Sequence, residues 1–185
     1  MATYAASKNA TVYMICRSKE RAETARDDII KITQNENVKV FIADVGELNQ
    51  VQKVVSDIKS NTKSIHCIIC NAGVLLNDRQ VTSENNEITF ASHLLGGSYL
   101  LCNLLTPVLN DTDNSRVIFV SSGGMYNSKF PKWDAVRSVG KYEEKYDGNY
   151  AYTYAKRGQV GIIIIIYYFL QYEYIFHVFI IIFYA

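Results

Sequence analysis

The stretch that decides the fold reads Arg116-Val-Ile-Phe-Val-Ser-Ser122 and is followed by two glycines. Its β-branched and aromatic residues form an unbroken apolar run, which is typical of a strand buried on both faces of a parallel sheet. A second run of this kind, Ile65-His-Cys-Ile-Ile-Cys70, leads directly into Asn71-Ala-Gly73. Each of the two predicted buried strands therefore leads into a short polar motif.

Downstream, Tyr152-Thr-Tyr-Ala-Lys156 places a tyrosine and a lysine four residues apart. In a helix, residues at this spacing share a face, so both side chains would point into one cleft. A fixed ammonium beside a phenol favours the phenolate, which suits general acid/base chemistry. Tyr154 lies about 200° around the helix from Tyr152 and should face away. Taken alone, the spacing also occurs by chance on amphipathic helix surfaces.

Strand and helix patterns alternate along the rest of the chain. Strands are predicted at 10–16, 38–43, 65–70 and 117–120, and helices at 19–34, 48–58 and 88–109, the last one stopped near Pro107. This alternation predicts an α/β fold in which a parallel sheet is covered by helices on both faces, the three-layer doubly wound class.

Composition excludes some classes of protein. At 185 residues the chain is long enough for one domain with a sizeable core, and its net charge of +1 gives no electrostatic footprint for nucleic acid. Cys67 and Cys70 have a spacing that suits zinc or a redox pair, but buried apolar cysteines in a strand are the plainer interpretation, and we predict no metal site. Met1 to Ala10 lacks a secretory pattern, so we expect a cytoplasmic protein.

Taken in order, Asn71-Ala-Gly73, Ser122 and Tyr152-x-x-x-Lys156 resemble the short-chain dehydrogenase/reductase family. Its members carry N-A-G after the fourth strand, a catalytic serine after the fifth, and Y-x-x-x-K on the next helix. The resemblance covers roughly residues 5 to 160, and the long segment between Ser122 and Tyr152 resembles the retinol-dehydrogenase-like branch. It implies a Rossmann-like fold and an oxidoreductase that interconverts a small-molecule carbonyl and an alcohol.

The resemblance also implies catalytic roles. Tyr152 would exchange a proton with the substrate oxygen, Lys156 would favour the phenolate and bind the nicotinamide ribose, and Ser122, the second serine of its pair, would hold the substrate oxygen. His93 stands where the family usually has an asparagine that holds a water. A buried, hydrogen-bonded helix histidine is the alternative interpretation of His93.

The implied cofactor is NADP, held by Asn71, Ala72, Gly73, Tyr152 and Lys156 together with three residues near the N-terminus. These three are Arg17, Asp44 and Val45. An arginine just beyond the second family strand, with no acidic residue to take a ribose hydroxyl, suits a 2′-phosphate. A solvated strand-end charge is the alternative for Arg17, and a helix N-cap is the alternative for Asp44.

No stretch offers the G-x-x-x-G-x-G loop that would bind a pyrophosphate, so we expect residues 1–160 to form an incomplete Rossmann-like domain that lacks its first strand and its last strands. The alternative function is a catalytically impaired remnant that acts at most in binding or interaction. Residues 161–185 form an apolar, low-complexity tail. It is either a membrane segment or a non-native extension. A homo-oligomer is compatible with the family.

Overall fold

The computed structural model describes residues 1–130, 132–137, 145–169 and 177–180. The chain divides into two compact units, Met1–Val45 and Gly46–Ala185. Each unit contains parallel strands connected by helices. The predicted α/β fold with parallel strands is therefore confirmed.

The N-terminal unit contains two helices and two strands. In chain order these are α1 (Ala2–Ser7), β1 (Val12–Cys16), α2 (Lys19–Thr33) and β2 (Val38–Ile42). The two strands pair in parallel, with Val12 opposite Val38 and Cys16 opposite Ile42. The carboxyl ends of both strands therefore lie at the same edge.

A small apolar core and one buried amide hold this unit together. The core consists of Ala6, Val12, Ile29 and Val38. Asn35, which is buried, donates its side-chain amide to the carbonyls of Ala6 (3.0 Å) and Ala10 (2.9 Å). Since these carbonyls lie at and beyond the end of α1, the amide ties α1 to the loop that follows α2.

The C-terminal unit is built around β4, the central strand of three. Its elements are α3 (Leu48–Asn61), β3 (Cys67–Cys70), α4 (Ile88–Asn110), β4 (Arg116–Ser121), α5 (Trp133–Arg137), α6 (Gly148–Phe169) and β5 (His177–Ile180). Both β3 and β5 pair with β4 in parallel. A 3-10 turn, Gly123–Tyr126, follows β4. All the predicted strands are present, shorter or longer by one or two residues at their ends.

The prediction that β3 is buried on both faces is wrong. Exposure alternates along β3, with Cys67 and Ile69 exposed and Ile68 and Cys70 buried. The reason is that one face of the strand packs on α4, where the Sγ atoms of Cys70 and Cys102 lie 3.7 Å apart, while the other face stays accessible. Cys70 is therefore adjacent to Cys102, and Cys67 points to the opposite face.

Helix α4 ends within one residue of its predicted end at 109, and it departs from the sequence-based expectation in the geometry of its central segment. Its central segment, Ala91–Leu100, is a π-helix, and the helix continues through Pro107 to Asn110. Proline removes a single donor, and the turn after it closes with Asp111 N–H donating to the Pro107 carbonyl at 3.2 Å. The N-terminus of α4 is fixed by the Glu87 carboxylate, which accepts hydrogen bonds from two backbone amides of the first turn.

The tail predicted at 161–185 does not begin at an element boundary. Helix α6 continues to Phe169, and the backbone of His177–Ile180 adds strand β5, which the sequence did not predict. The remaining tail residues lie outside the described part, and the two alternatives for 161–185, a membrane segment and a non-native extension, stay predictions. Within the described residues, α4 is long and apolar enough to cross a membrane, and 61% of its most apolar window is buried inside the chain.

Candidate active site

Tyr152 and Lys156 lie one turn apart on α6, which packs across β4. The start of α6 is fixed by Asp147, whose side chain accepts from the Asn149 amide at 2.8 Å. Lys156 is only 3% exposed, and its Nζ donates to the Val120 carbonyl at 2.8 Å. The same Nζ lies 5.8 Å from the centroid of the Tyr152 ring. A buried cation and a phenol therefore share one face of the helix.

Ser122 reaches this pair from the end of β4. Its Oγ accepts a hydrogen bond from Gly124 N–H at 3.1 Å. A methyl group on Gly124 would lie 3.1 Å from Tyr152 Cε1 and 3.3 Å from Ser122 Oγ, so the serine and the phenol ring meet over this glycine. Ser121, in contrast, is buried and donates to the Lys156 carbonyl at 3.1 Å. Of the two serines, Ser122 is the one that lies beside the phenol ring.

His93 joins the site from the π-helical segment of α4. Its ring stands perpendicular to the Tyr152 ring with the centroids 5.3 Å apart. The ring nitrogen Nε2 lies 2.9 Å from the Val74 amide nitrogen and 2.8 Å from the Val74 carbonyl oxygen. His93 is 3% exposed, and its Nδ1 has no hydrogen-bond partner among the described residues. His93 is therefore a buried, hydrogen-bonded helix histidine, as the alternative interpretation has it, and its ring also lies beside Tyr152, the predicted acid/base residue.

The loop after β3 passes directly over the His93 ring. Asn71, Ala72 and Gly73 are exposed, and a methyl group on Gly73 would lie 1.8 Å from His93 Cε1. No side chain fits between this backbone and the imidazole. Glycine at this position is therefore required by the histidine.

Burial changes the protonation of two groups in this site. Burial, reinforced by the positive charge of Lys156, lowers the pKa of His93 to about 4, although its bond to the Val74 backbone acts the other way. Burial also lowers the pKa of Lys156 to about 8, an effect that nearby Cys70 partly opposes. At neutral pH, His93 is therefore neutral and most Lys156 side chains remain charged.

The other predicted cofactor residues lie in the N-terminal unit. Arg17 is exposed and directly follows β1, while Asp44 and the buried Val45 come just after β2. Because β1 and β2 are parallel, these three residues lie at the same edge of their sheet. The alternative role of Asp44 as a helix N-cap is wrong, because the N-cap of α3 is Glu47.

Two residues that the sequence did not single out are part of the site's support. Gln159 donates from Nε2 to the His93 carbonyl and to Ser98 Oγ, at 3.0 Å each. Gln159 lies three residues after Lys156 on α6, which places it on the same helix face. That spacing is the one signal in the sequence that could have identified it.

Comparison with known proteins identifies the family of the chain. A family model described as short chain dehydrogenase matches residues 1–133. The chain belongs to the short-chain dehydrogenase/reductase family. It is similar to human dehydrogenase/reductase SDR family member 12, with 37% identity over 155 residues, and to human retinol dehydrogenase 12, with 29% identity; each match covers 84% of this chain and 47% of the relative. The chain thus spans about half the length of these relatives.

Solved structures show the same fold. A metagenomic short-chain oxidoreductase in complex with NADP matches with a TM-score of 0.72 and 18% identity, covering 96% of this chain and 73% of its own. At this identity the match demonstrates the short-chain dehydrogenase fold alone.

The lowered pKa of His93 predicts acid-sensitive stability. His93 protonates near pH 4 in the folded chain and near its ordinary 6.5 when unfolded, so between these values the unfolded state binds the extra proton. The free energy of unfolding should therefore fall by on the order of 3 kcal/mol as pH drops from 6.5 to 4. Above pH 6.5 this contribution is fully present.

Urea unfolding across this pH range measures the effect. His93→Asn should flatten the pH dependence, because it removes the titrating group while keeping a polar side chain. His66→Asn is the matched control, since His66 is exposed. An equal flattening in both variants would show that the acid sensitivity does not come from the buried imidazole.

Proposed function

We propose that this protein catalyses NADP-dependent interconversion of a small-molecule carbonyl and an alcohol, with Tyr152 as the proton donor and acceptor. The observation that carries the proposal is that Ser122 and Tyr152 meet over Gly124, while Lys156 Nζ lies 5.8 Å from the centroid of the Tyr152 ring. A hydroxyl, a phenol and a buried cation together suit a reaction in which charge develops on a substrate oxygen.

Ser122, Tyr152 and Lys156 have separate roles in the proposed reaction. Ser122 Oγ, half-buried, offers a hydroxyl that positions the substrate oxygen. In the direction of reduction, Tyr152 gives its phenolic proton to that oxygen as its negative charge grows, and in the reverse direction its phenolate takes the hydroxyl proton. Lys156 keeps a positive charge beside the phenol at neutral pH and so stabilises the phenolate.

The available donors suit a phosphorylated nicotinamide dinucleotide. In the N-terminal unit the exposed guanidinium of Arg17 matches a phosphate, and in the C-terminal unit the Lys156 ammonium matches ribose hydroxyls. When bound, the cofactor supplies or accepts the hydride. The NADP complex of the structurally similar metagenomic oxidoreductase supports the same choice of cofactor.

We expect NADPH to bind more tightly than NADH because the Arg17 guanidinium can pair with the 2′-phosphate. A charge-assisted hydrogen bond is worth about 1.5 to 3 kcal/mol, or roughly 10- to 100-fold in affinity. Titration of both cofactors, followed by their fluorescence, measures the preference, and Arg17→Ala should abolish it.

Arg21→Ala is the matched control, because Arg21 is also exposed and lies four residues further on, in α2. Equal affinities for the two cofactors would contradict the assignment of NADP. Failure of the protein to bind either cofactor would instead favour the alternative of a catalytically impaired chain.

A further inference from the structure

The strongest unexplained feature of the C-terminal unit is a buried polar triangle formed by the side chains of Gln159 and Ser98 and the carbonyl of His93. Gln159, which is 1% exposed, donates from Nε2 to the His93 carbonyl and to Ser98 Oγ. Ser98, which is fully buried, donates its own hydroxyl to the same carbonyl. Two side chains from two helices therefore converge on one backbone oxygen.

This convergence coincides with the π-helical segment of α4. His93 and Ser98 are five residues apart, which is the hydrogen-bonding interval of a π-helix. The widened turn leaves room for the Gln159 amide to reach the His93 carbonyl from α6. The position of His93 along α4 is therefore set partly by a residue on the helix that carries Tyr152.

Packing alone does not account for the amide of Gln159. Its Oε1 is buried and has no partner among the described residues, and an unpaired buried acceptor is costly. A methionine of similar length would fill the same space without that cost. A buried side chain that has a polar atom without a hydrogen-bond partner points to a role beyond packing.

The His93 side chain connects this triangle to the reacting residues. Its ring lies against Gly73 and edge-on to Tyr152, 5.3 Å between centroids, and Nε2 meets the backbone of Val74. Any rotation or shift of the His93 backbone would move the imidazole relative to both the Gly73 backbone and the Tyr152 ring.

We propose that Gln159 is a positioning residue of the active site. Together with Ser98, it fixes the His93 carbonyl and thereby holds the imidazole between Gly73 and the Tyr152 ring. This role rests on the proposed function in one respect: its effect on catalysis requires Tyr152 to be the acid/base residue. The effect on His93 itself does not require that.

Nitrogen-15 NMR of the imidazoles tests the structural step directly. The chain has three histidines, and the His93 signal is identified by its loss in His93→Asn. In the unaltered protein we expect a single neutral tautomer that persists below pH 5. In Gln159→Met the His93 signal should move toward tautomer averaging and titrate closer to the ordinary range of histidine.

Ser98→Ala provides a second, independent variant if Gln159→Met does not fold. It should shift the His93 signal in the same direction, and the double variant should add little, because both side chains act on one carbonyl. Thr106→Val is the control, since it removes a side-chain bond to another α4 carbonyl, that of Cys102. An unchanged His93 signal in Gln159→Met or, where that variant does not fold, in Ser98→Ala would overturn the proposal.

Kinetics separate this inference from the proposed function. If both hold, Gln159→Met lowers kcat by on the order of 10- to 100-fold with little change in KM for the cofactor, and Tyr152→Phe slows turnover by about 10²- to 10⁴-fold. A shifted His93 signal with full activity in Tyr152→Phe would leave the positioning of His93 standing and remove the proposed reaction. Loss of activity in Tyr152→Phe with unchanged kcat in Gln159→Met would refute the positioning role alone.

Discussion

Tyr152→Phe is expected to slow carbonyl reduction by about 10²- to 10⁴-fold, the usual contribution of a positioned proton donor. The substitution removes one oxygen atom and keeps the ring that packs edge-on against His93 and close to Gly124. The affinity for NADPH should therefore remain nearly unchanged. Steady-state reduction of a panel of small carbonyl compounds, followed by NADPH absorbance, measures the loss.

Tyr154→Phe is the matched control for this prediction. Tyr154 turns away from the site and stacks on Phe130 at 5.0 Å, with Trp133 at 5.1 Å on the same cluster. Removing its hydroxyl leaves these ring contacts in place, so activity should be retained. If Tyr154→Phe were as harmful as Tyr152→Phe, the assignment of the acid/base residue would be wrong.

Lys156→Met separates proton transfer from binding. Lys156 carries the buried ammonium nearest the phenol and is also the proposed partner of the nicotinamide ribose, so its loss should weaken both turnover and NADPH binding. Tyr152→Phe should weaken turnover alone. Retained activity in both variants would mean that the two residues have a structural role only.

The elements that sequence predicts well here are those governed by local pattern. Runs of β-branched residues predicted the strands of both units. The spacing of Tyr152, Tyr154 and Lys156 predicted that all three lie on one helix, because helical periodicity is a local property. Strand β5 was missed, since a run of isoleucine, tyrosine and phenylalanine suits a strand and a membrane helix equally.

The contacts that shape the site are non-local and could not be predicted. Nothing in the residues around Gly73 indicates that an imidazole from α4 will lie against its backbone, and the π-helix that sets His93 has no reliable sequence signature. Ser98 and Gln159 are likewise ordinary residues until the two helices pack. Sequence therefore identified the residues that we propose to be catalytic, whereas the structure identified the residues that contact and support them.

Gly73→Ala is expected to destabilise the protein by about 3 kcal/mol, at the upper end of the usual cost of overpacking. The added methyl would lie 1.8 Å from His93 Cε1, which cannot be tolerated without displacing the loop or the ring. Since the backbone of Gly73 does not adopt a left-handed conformation, the cost comes from this contact rather than from strain. Urea unfolding at pH 7 measures it.

Gly161→Ala is the matched control, because a methyl group at Gly161 in α6 meets nothing within 4 Å. It should be neutral or stabilise the helix by up to about 1 kcal/mol.

The contact between Gly73 and His93 is tested by combining Gly73→Ala with His93→Ala. In this double variant the space left by the imidazole can hold the methyl group added at position 73. The double variant should therefore be more stable than the sum of the two single changes predicts, by at least about 1 kcal/mol. Strict additivity would show that Gly73 and His93 do not constrain each other, and that glycine at this position serves some other need of the loop.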